Sequence, residues 1–421
     1  VIYLRVNLNL ALKRIIFVVK YYHLMNKNIS KLFEIAKRDE RHIIGLMSGT
    51  SLDGLDIVLC KITGSGSNTS VEIEAFETMD YIEETKDKIR KIFAKDHINF
   101  PYLAMLNEWI GIHHAAMINA FIDKHKIEKT KIDAIASHGQ TVMHVPKHQH
   151  GLAEFPNATL QIGDGDHIAV HTGIITLSDF RQKHLAAGGE GAPLAVYGDY
   201  LIFSKPGEDR IMLNMGGIGN FTFLPGDEDP SRVFVTDTGP GNTLMDAYMK
   251  ENFGLPFDKN ADLALKGNVN ENLLKALKTN YFFHLSFPKT TGPEVFNLNY
   301  VYTTLNSVGL TNLSHADIMA TLNRLSAETI TEAIKSVIGD QHFHVFMSGG
   351  GAHNLLLVSS MQELLPNCTF ALSDELGISG DAKEAVLFAV LANETLAGNP
   401  VDFGLRQGVP GVCMGKISLP D

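Results

Sequence analysis

Cysteine is scarce in this chain: Cys60, Cys368 and Cys413 are the only three in 421 residues. They are too few and too scattered for a disulfide framework, and none has the close spacing of a zinc-ligand pair. A reducing compartment, the cytoplasm, is the expected location. A basic excess is missing as well, the formal net charge being -11. Without surplus lysine and arginine to neutralise phosphates or anionic headgroups, nucleic acid and membrane are set aside as partners. Long apolar runs are also lacking. The most apolar stretch, VIYLRVNLNLALKRIIFVVKYYHLM, is interrupted by Arg5, Lys13, Arg14 and Lys20. Its longest clean run, Ile15 to Val19, falls far short of the ~20 residues of a membrane-spanning helix. No small-residue cleavage site of a secretory signal follows it. With Met25 available as a start, residues 1–40 are expected to be an N-terminal extension or start-site artefact, a basic membrane-surface helix being the other reading. Neither GxxxxGK[ST] nor GxGxxG occurs, so the P-loop and dinucleotide signatures are absent.

Glycine, by contrast, is plentiful at 37 residues, and it is grouped. In GLMSGTSLDGLDIVLCKI the strands predicted at Ile43 to Met47 and Leu55 to Ile62 meet through Ser48 to Gly54. That turn has more small and hydroxyl residues than a hairpin tip requires. Backbone amides exposed by small residues can cradle a phosphate, and an acid such as Asp53 can hold a metal ion through water. A long hairpin loop with no ligand is the alternative at this point. RIMLNMGGIGNFTFLP, Arg210 to Pro225, repeats the order strand, glycine turn, strand. HVFMSGGGAHNLLL reads as strand, glycine turn and helix start, where the missing Cβ atoms allow close approach of an adenine or ribose.

The remaining segments supply an α/β layer architecture. A third strand in VEIEAFETMDYI completes an antiparallel meander, and helices follow at Glu84 to Lys95 and Pro101 to His125. IDAIASHG is a buried strand, VFVTDTGPGN a strand running into a turn, and a helix begins near Asn242. A further helix over His315 to Ile338 opens with Ser314 and Asp317 in a capping pattern. Its apolar stripe, Ile318, Leu322, Leu325, Ala333 and Val337, has core spacing. Two halves that each open with a strand, glycine turn and strand point to an internal duplication.

Eight stretches in order, GLMSGTSLDGLD, ASHGQT, LQIGDG, DFRQKHLAAGGEGAPL, LNMGGIGN, DTGPGNTLMDAY, KTTGPEVFN and SGGGAHN, resemble the anhydro-N-acetylmuramic acid kinases. These belong to the actin, heat-shock-chaperone and sugar-kinase superfamily, and the resemblance runs from about Ile43 to the C-terminus. It implies an α/β, two-lobe actin-like ATPase (ribonuclease H-like) fold with ATP in the interlobe cleft. Lobe I would be 41–177 plus about 386–421, and lobe II 178–385. Gly49, Thr50, Ser51, Leu52, Asp53, Gly54, Leu55 and Asp56 would form the first phosphate loop. Gly216 and Gly217 would form the second, and Gly349, Gly350 and Gly351 would hold the adenosine. ATP and Mg2+ are the implied cofactors, with Asp53 reaching the metal through water, and the implied assembly is a homodimer.

The family's reaction cleaves the bridge of 1,6-anhydro-N-acetylmuramic acid with water and places the γ-phosphoryl on the freed oxygen, giving N-acetylmuramic acid 6-phosphate. Asp237 matches its catalytic aspartate and Glu384 its second carboxylate near the sugar. Read from the residues alone, Asp237 could equally be an Asx-turn acid, and Asp381 with Glu384 has capping-box spacing. His138, Gln140 and Thr141 follow a buried strand, where ligand groups cluster in open α/β sheets, and are candidates for the sugar. Arg181 suits a bidentate anion such as the lactyl carboxylate, an ion pair with Asp179 being its alternative. The chain departs from the family pattern at His184, commonly aspartate, at Glu190, commonly glutamine, and at Pro293, commonly arginine. Those departures leave open a kinase of another anhydrosugar or hexose, and a non-catalytic nucleotide switch is the reading of another class.

Overall fold

A β-meander is built twice in this chain, and each time parallel strands are added beside its first member. The computed structural model of the protein describes residues 25–339, 341–404 and 408–421, so the apolar and basic start at 1–24 lies outside the described residues. In the first sheet β1 (Glu40–Ser48), β2 (Gly54–Thr63) and β3 (Ser70–Asp80) are antiparallel neighbours. β4 (Ala134–Val145) and β6 (Thr176–Ser178) follow in parallel beside β1. In the second sheet β7 (Arg210–Met215), β8 (Ile218–Leu224) and β9 (Phe234–Pro240) form the meander. β10 (Phe343–Ser348) and β11 (Cys368–Leu372) lie parallel beside β7. The orders β3-β2-β1-β4-β6 and β9-β8-β7-β10-β11 correspond strand for strand. The first sheet adds two more antiparallel strands, β5 (Ala158–Ile162) on β4 and β12 (Lys416–Ser418) on β6.

The residues fall into two units. One holds the chain up to Pro193, Glu384–Val401 and the C-terminal stretch; the other holds Leu194–Lys383 and a short segment from Asp402. The stretch 178–193, expected in lobe II, belongs to the first unit, because β6 pairs with β12 and the Phe180 ring packs on Phe388 with centroids 5.3 Å apart. Residues 27–40, expected as extension, are built into the same unit. There a helix over Lys27–Ala36 is capped by Asn26, Lys27 pairs with Asp421, and Arg38 meets Asp133 at 2.5 Å.

One face of each sheet is covered by a long helix. Alternate residues of a strand share a face, so Ile44 and Leu46 of β1 and Ile57 and Leu59 of β2 form one apolar surface. Ile110, Ile118 and Phe121 of the helix Phe100–Lys124 pack on it. That helix starts where Asn99 accepts the Tyr102 N–H, with proline in the first turn, where its missing N–H has no helical partner to lose. In the second unit Ile211, Leu213 and Phe221 pack with Ile330 and Ile334 of the helix His315–Ile338. Its expected cap is present, Ser314 Oγ accepting the Asp317 N–H at 3.1 Å. Each such buried aliphatic side chain contributes about 1.5–3 kcal/mol. Among the described residues no helix is long and apolar enough to cross a membrane.

Gly45 lies between Ile44 and Leu46 and so faces the opposite side of the sheet. The helix Lys383–Ala397 approaches it closely: a Cβ at Gly45 would stand 2.0 Å from the Ala385 carbonyl oxygen. Packing, not a turn, requires this glycine. Gly45→Ala is expected to lower stability by about 1–3 kcal/mol, the usual range for overpacking. A urea-unfolding midpoint equal to the parent's would contradict this account of the contact.

Candidate functional site

In the first unit the loop from Ser48 to Gly54 is anchored by its carbonyls. The parallel pairing of β1 with β4 slips after Leu46, bringing Ser48 opposite Gln140. Ser48 Oγ donates to the Gly139 carbonyl (3.0 Å), and Gln140 Nε2 donates to the Gly49 carbonyl (3.1 Å). The Tyr81 N–H donates to the Asp53 carbonyl at 2.9 Å. In a trans peptide the C=O and the following N–H point in opposite directions. With the Gly49 carbonyl turned toward Gln140, the Thr50 amide is turned away from it. Gly49 has no left-handed φ, and a Cβ there would meet nothing closer than Ser51 Oγ at 3.5 Å. What glycine provides at this position is clearance. Thr50, Ser51 and Asp53 are exposed, whereas Leu52 and Leu55 put their side chains into the core. Asp56 accepts from Thr78 Oγ1 at 2.6 Å, so its carboxylate is engaged on the meander.

The candidate sugar residues of this unit separate into two groups. Gln140 is fully buried and serves the loop, and its Oε1 has no hydrogen-bond partner among the described residues. Thr141 Oγ1 accepts from Gln161 Nε2 across the β4–β5 pair. His138 and Arg181 are brought together, Arg181 Nε donating to His138 Nε2 at 3.0 Å. Accepting there requires the neutral ring, and burial first, then the Arg181 charge, hold the His138 pKa well below the ordinary histidine range. Arg181 also donates to the Gly191 carbonyl at 2.6 Å. Burial lowers its own pKa, while the Glu384 carboxylate opposes that shift and so belongs to the same cluster. The alternative ion pair does not form, since Asp179 pairs with Lys416. Ser379 receives the Ala382 N–H, at Oγ (3.3 Å) and at its carbonyl (3.1 Å), and the helix begins at Lys383, leaving Asp381 short of the capping position.

Two of the three departures from the family pattern lie beside this cluster. His184 is buried, and its Nδ1 accepts the Gly191 N–H at 3.0 Å. Burial, then Arg181, lowers its pKa to about 4, so a neutral ring occupies the position. Glu190 stands 3.6 Å from His148.

In the second unit the turn at Gly216 and Gly217 is held the same way. The N–H groups of Gly241 and Thr243 donate to the Gly217 carbonyl (2.8 and 3.0 Å), and that of Asn242 to the Gly216 carbonyl (2.9 Å). The amides of Gly217 and Ile218 therefore point away from the start of the helix Thr243–Phe253. A Cβ at Gly216 or Gly217 would find its nearest neighbour at 3.7 Å, so both glycines leave open room above the amides. Gly241 is different. A Cβ there would lie 2.4 Å from the Gly216 carbonyl oxygen, so glycine is needed for the anchoring turn itself. In the third turn Gly349, at φ +79°, and Gly351 are required by contacts with Asn214 and Met215, while Gly350 has open space, its nearest neighbour being Asn242 Nδ2 at 3.7 Å.

Asp237 stands on β9 opposite Asn220 of β8, three residues from Gly217 and thus about 10 Å along the strand. The β8–β9 pairing slips between Gly219 and Asn220, a bulge of the kind that re-aims a side chain. Asp237 Oδ2 accepts the Thr291 N–H at 2.8 Å. Burial raises its pKa to about 6; the Thr291 bond lowers it in part, and Glu294 adds to the rise. Thr291 and Glu294 belong to KTTGPEVFN, a stretch to which the sequence reading assigned no role. Thr291 Oγ1 is buried without a hydrogen-bond partner among the described residues, so it too is a candidate ligand group. Pro293, the third departure, is exposed in the same segment.

Two α/β units of matching strand order each turn clear amides outward from their first hairpin, a geometry suited to phosphate oxygens. The family model for anhydro-N-acetylmuramic acid kinase matches residues 41–414. The chain is 55% identical over 402 residues to the anhydro-N-acetylmuramic acid kinase of Pseudoalteromonas atlantica, covering 94% of this chain and 100% of that one. To the protein of the same name from Pseudoalteromonas translucida it is 52% identical over 401 residues, with 94% and 100% covered. Among solved structures, the activator of the 2-hydroxyisocaproyl-CoA dehydratase from Clostridium difficile with bound ADPNP is similar at a TM-score of 0.39 and 13% identity, over 84% of this chain and 95% of that one. On the family match and these identities, the chain belongs to the anhydro-N-acetylmuramic acid kinase family.

Gly217→Ala separates clearance from packing. The variant is expected to melt at the parent's temperature, because the new methyl meets only ordinary contacts, and to bind ATP about tenfold more weakly, a loss of about 1.4 kcal/mol. Equal nucleotide affinity by calorimetric titration would remove this turn from the phosphate site.

Proposed function

We propose that this chain opens the 1,6-anhydro ring of 1,6-anhydro-N-acetylmuramic acid with water and phosphorylates the freed oxygen from ATP, giving N-acetylmuramic acid 6-phosphate in peptidoglycan recycling. Family membership supports the substrate. The observation that carries the chemistry is Asp237, a half-buried carboxylate, aimed by a bulge, whose pKa lies at about 6. A general base works best with a pKa near the operating pH.

In this reading water attacks the anomeric carbon and its proton passes to the Asp237 carboxylate. The bond from that carbon to the bridging oxygen breaks. The freed oxygen attacks the γ-phosphorus in line, the bond to the ADP oxygen breaks, and the proton leaves Asp237 for solvent. In the first unit the Thr50 amide, and in the second those of Gly217 and Ile218, are suited to phosphate oxygens, and the clear space at Gly350 is suited to the adenosine. Arg181, oriented by neutral His138 and accompanied by Glu384, takes the lactyl carboxylate. Magnesium bound with the nucleotide offsets phosphate charge; the exposed Asp53, at the end of the anchored loop, would hold it through water. The use of ATP supports a cytoplasmic location, as do three free cysteines. A homodimer is supported by the family alone.

Incubation with Mg-ATP and 1,6-anhydro-N-acetylmuramic acid is expected to yield the phosphorylated open sugar. Asp237→Asn should lower kcat by about 10²–10⁴-fold while ATP still binds. For the parent, kcat/KM should fall as the pH drops below about 6, because the base is then protonated. Full turnover in the asparagine variant would remove Asp237 as the base.

A further inference from the structure

We propose that Lys289 is a positioning residue for the reaction, its ammonium tying together the strap 281–291 that presents a backbone amide to Asp237. This inference rests on the reading of Asp237 as the base. Lysine is seldom buried without a carboxylate partner, yet Lys289 is only 8% exposed. Its Nζ donates to the carbonyls of Phe282 (3.1 Å) and Phe283 (3.3 Å). It also stands over the rings of Phe282 and Phe287, at 4.5 and 4.8 Å from their centroids. Two carbonyl dipoles and two ring faces thus receive one cation.

The ends that Lys289 joins both touch the catalytic strand. At its own position the Asp237 N–H donates to the Lys289 carbonyl (2.9 Å), and the Lys289 N–H donates to Thr236 Oγ1 (3.0 Å). Two residues on, the Thr291 N–H reaches Asp237 Oδ2. At the other end Phe283 lies against Gly239, where a Cβ would come 2.8 Å from its ring. The ammonium therefore braces the strap between two contacts that flank Asp237 on β9. Without it, the Phe283 carbonyl loses its donor inside an apolar cluster, the Phe282 carbonyl keeps only the Leu285 N–H (3.2 Å), and the amide at Thr291 loses its fixed distance from the carboxylate.

The charged groups around Asp237 leave that amide a clear electrostatic role. β8 carries no titratable residue and opposes Asp237 with Asn220. On the helix His315–Ile338, Arg324, Glu328 and Glu332 are engaged with one another or with Lys278. The strap carries Tyr281, His284 and Lys289 itself, and Glu294 follows it three residues after Thr291. Glu294 raises the Asp237 pKa and the Thr291 amide opposes it. Loss of the amide shifts the balance toward the protonated acid.

The test compares full-length parent, Lys289→Met, Lys289→Arg and Asp237→Asn by kcat/KM against pH. Lys289→Met is expected to move the acidic limb upward by about one pH unit, a loss of about fivefold at pH 6 beyond any loss at pH 8. KM for ATP should stay unchanged, and Lys289→Arg, which still donates to carbonyls, should restore the profile. Should Lys289→Met fail to fold, Thr291→Pro, which removes the N–H together with Thr291 Oγ1 and fixes φ, carries the same expectation for the acidic limb. A methionine (or proline) variant whose pH profile superimposes on the parent's, or an arginine variant no better than methionine, would overturn the proposal. Full turnover in Asp237→Asn would overturn it by a different route, through the identity of the base.

Discussion

The site depends on one property of the peptide bond: its carbonyl and its amide point in opposite directions. A glycine turn becomes an anion cradle only if something holds its carbonyls away from the ligand. Here Gln140 and Tyr81 do so for the first hairpin, and the amides of Gly241, Asn242 and Thr243 do so for the second. Removing side chains from Gly49, Gly216 and Gly217 opens space, but the anchors decide what faces it. The stretch DTGPGN consequently has two duties, carrying Asp237 and presenting the amides that orient its neighbour.

The same economy of backbone appears around the carboxylate. Asp237 keeps a pKa of about 6 because burial and Glu294 act against the amide of Thr291. A carboxylate with several amide donors would be too weak a base, and one with none would remain protonated near neutral pH. The unit that carries the Arg181 cluster shows the complementary case. There a guanidinium is oriented by a neutral histidine and by a carbonyl, with Glu384 as the nearby charge. The departure at position 184 is absorbed without placing a charge there, since the His184 ring serves as an acceptor for the Gly191 amide.

Much of the fold was legible because its signals are local. The helix His315–Ile338 follows from its stripe and its Ser314 cap, and the glycine hairpins from β-branched runs meeting at small residues. Less legible were contacts between residues far apart in the chain. Gly45 lies inside a predicted strand, where nothing local shows that it is a helix-contact glycine facing Ala385. Gln140, a candidate for the sugar, also anchors a loop 91 residues earlier. Glu384 shares a cluster with Arg181, from which it is 203 positions distant in the chain. Spacing along a chain fixes which residues can meet within one helix turn, not which distant ones meet.

The sequence by itself determined the family, the two meanders, the candidate base and the glycines around it, since each is a short pattern whose meaning lies within a few residues. Only the tertiary structure decided which glycines are there for clearance and which for packing, that burial raises the pKa of Asp237 to about 6, and that Lys289 and Thr291 stand beside Asp237. Those properties depend on burial and on hydrogen bonds between distant segments, such as the bond from Thr291 to Asp237 across 54 residues. Local sequence carries no record of either until the chain has closed on itself.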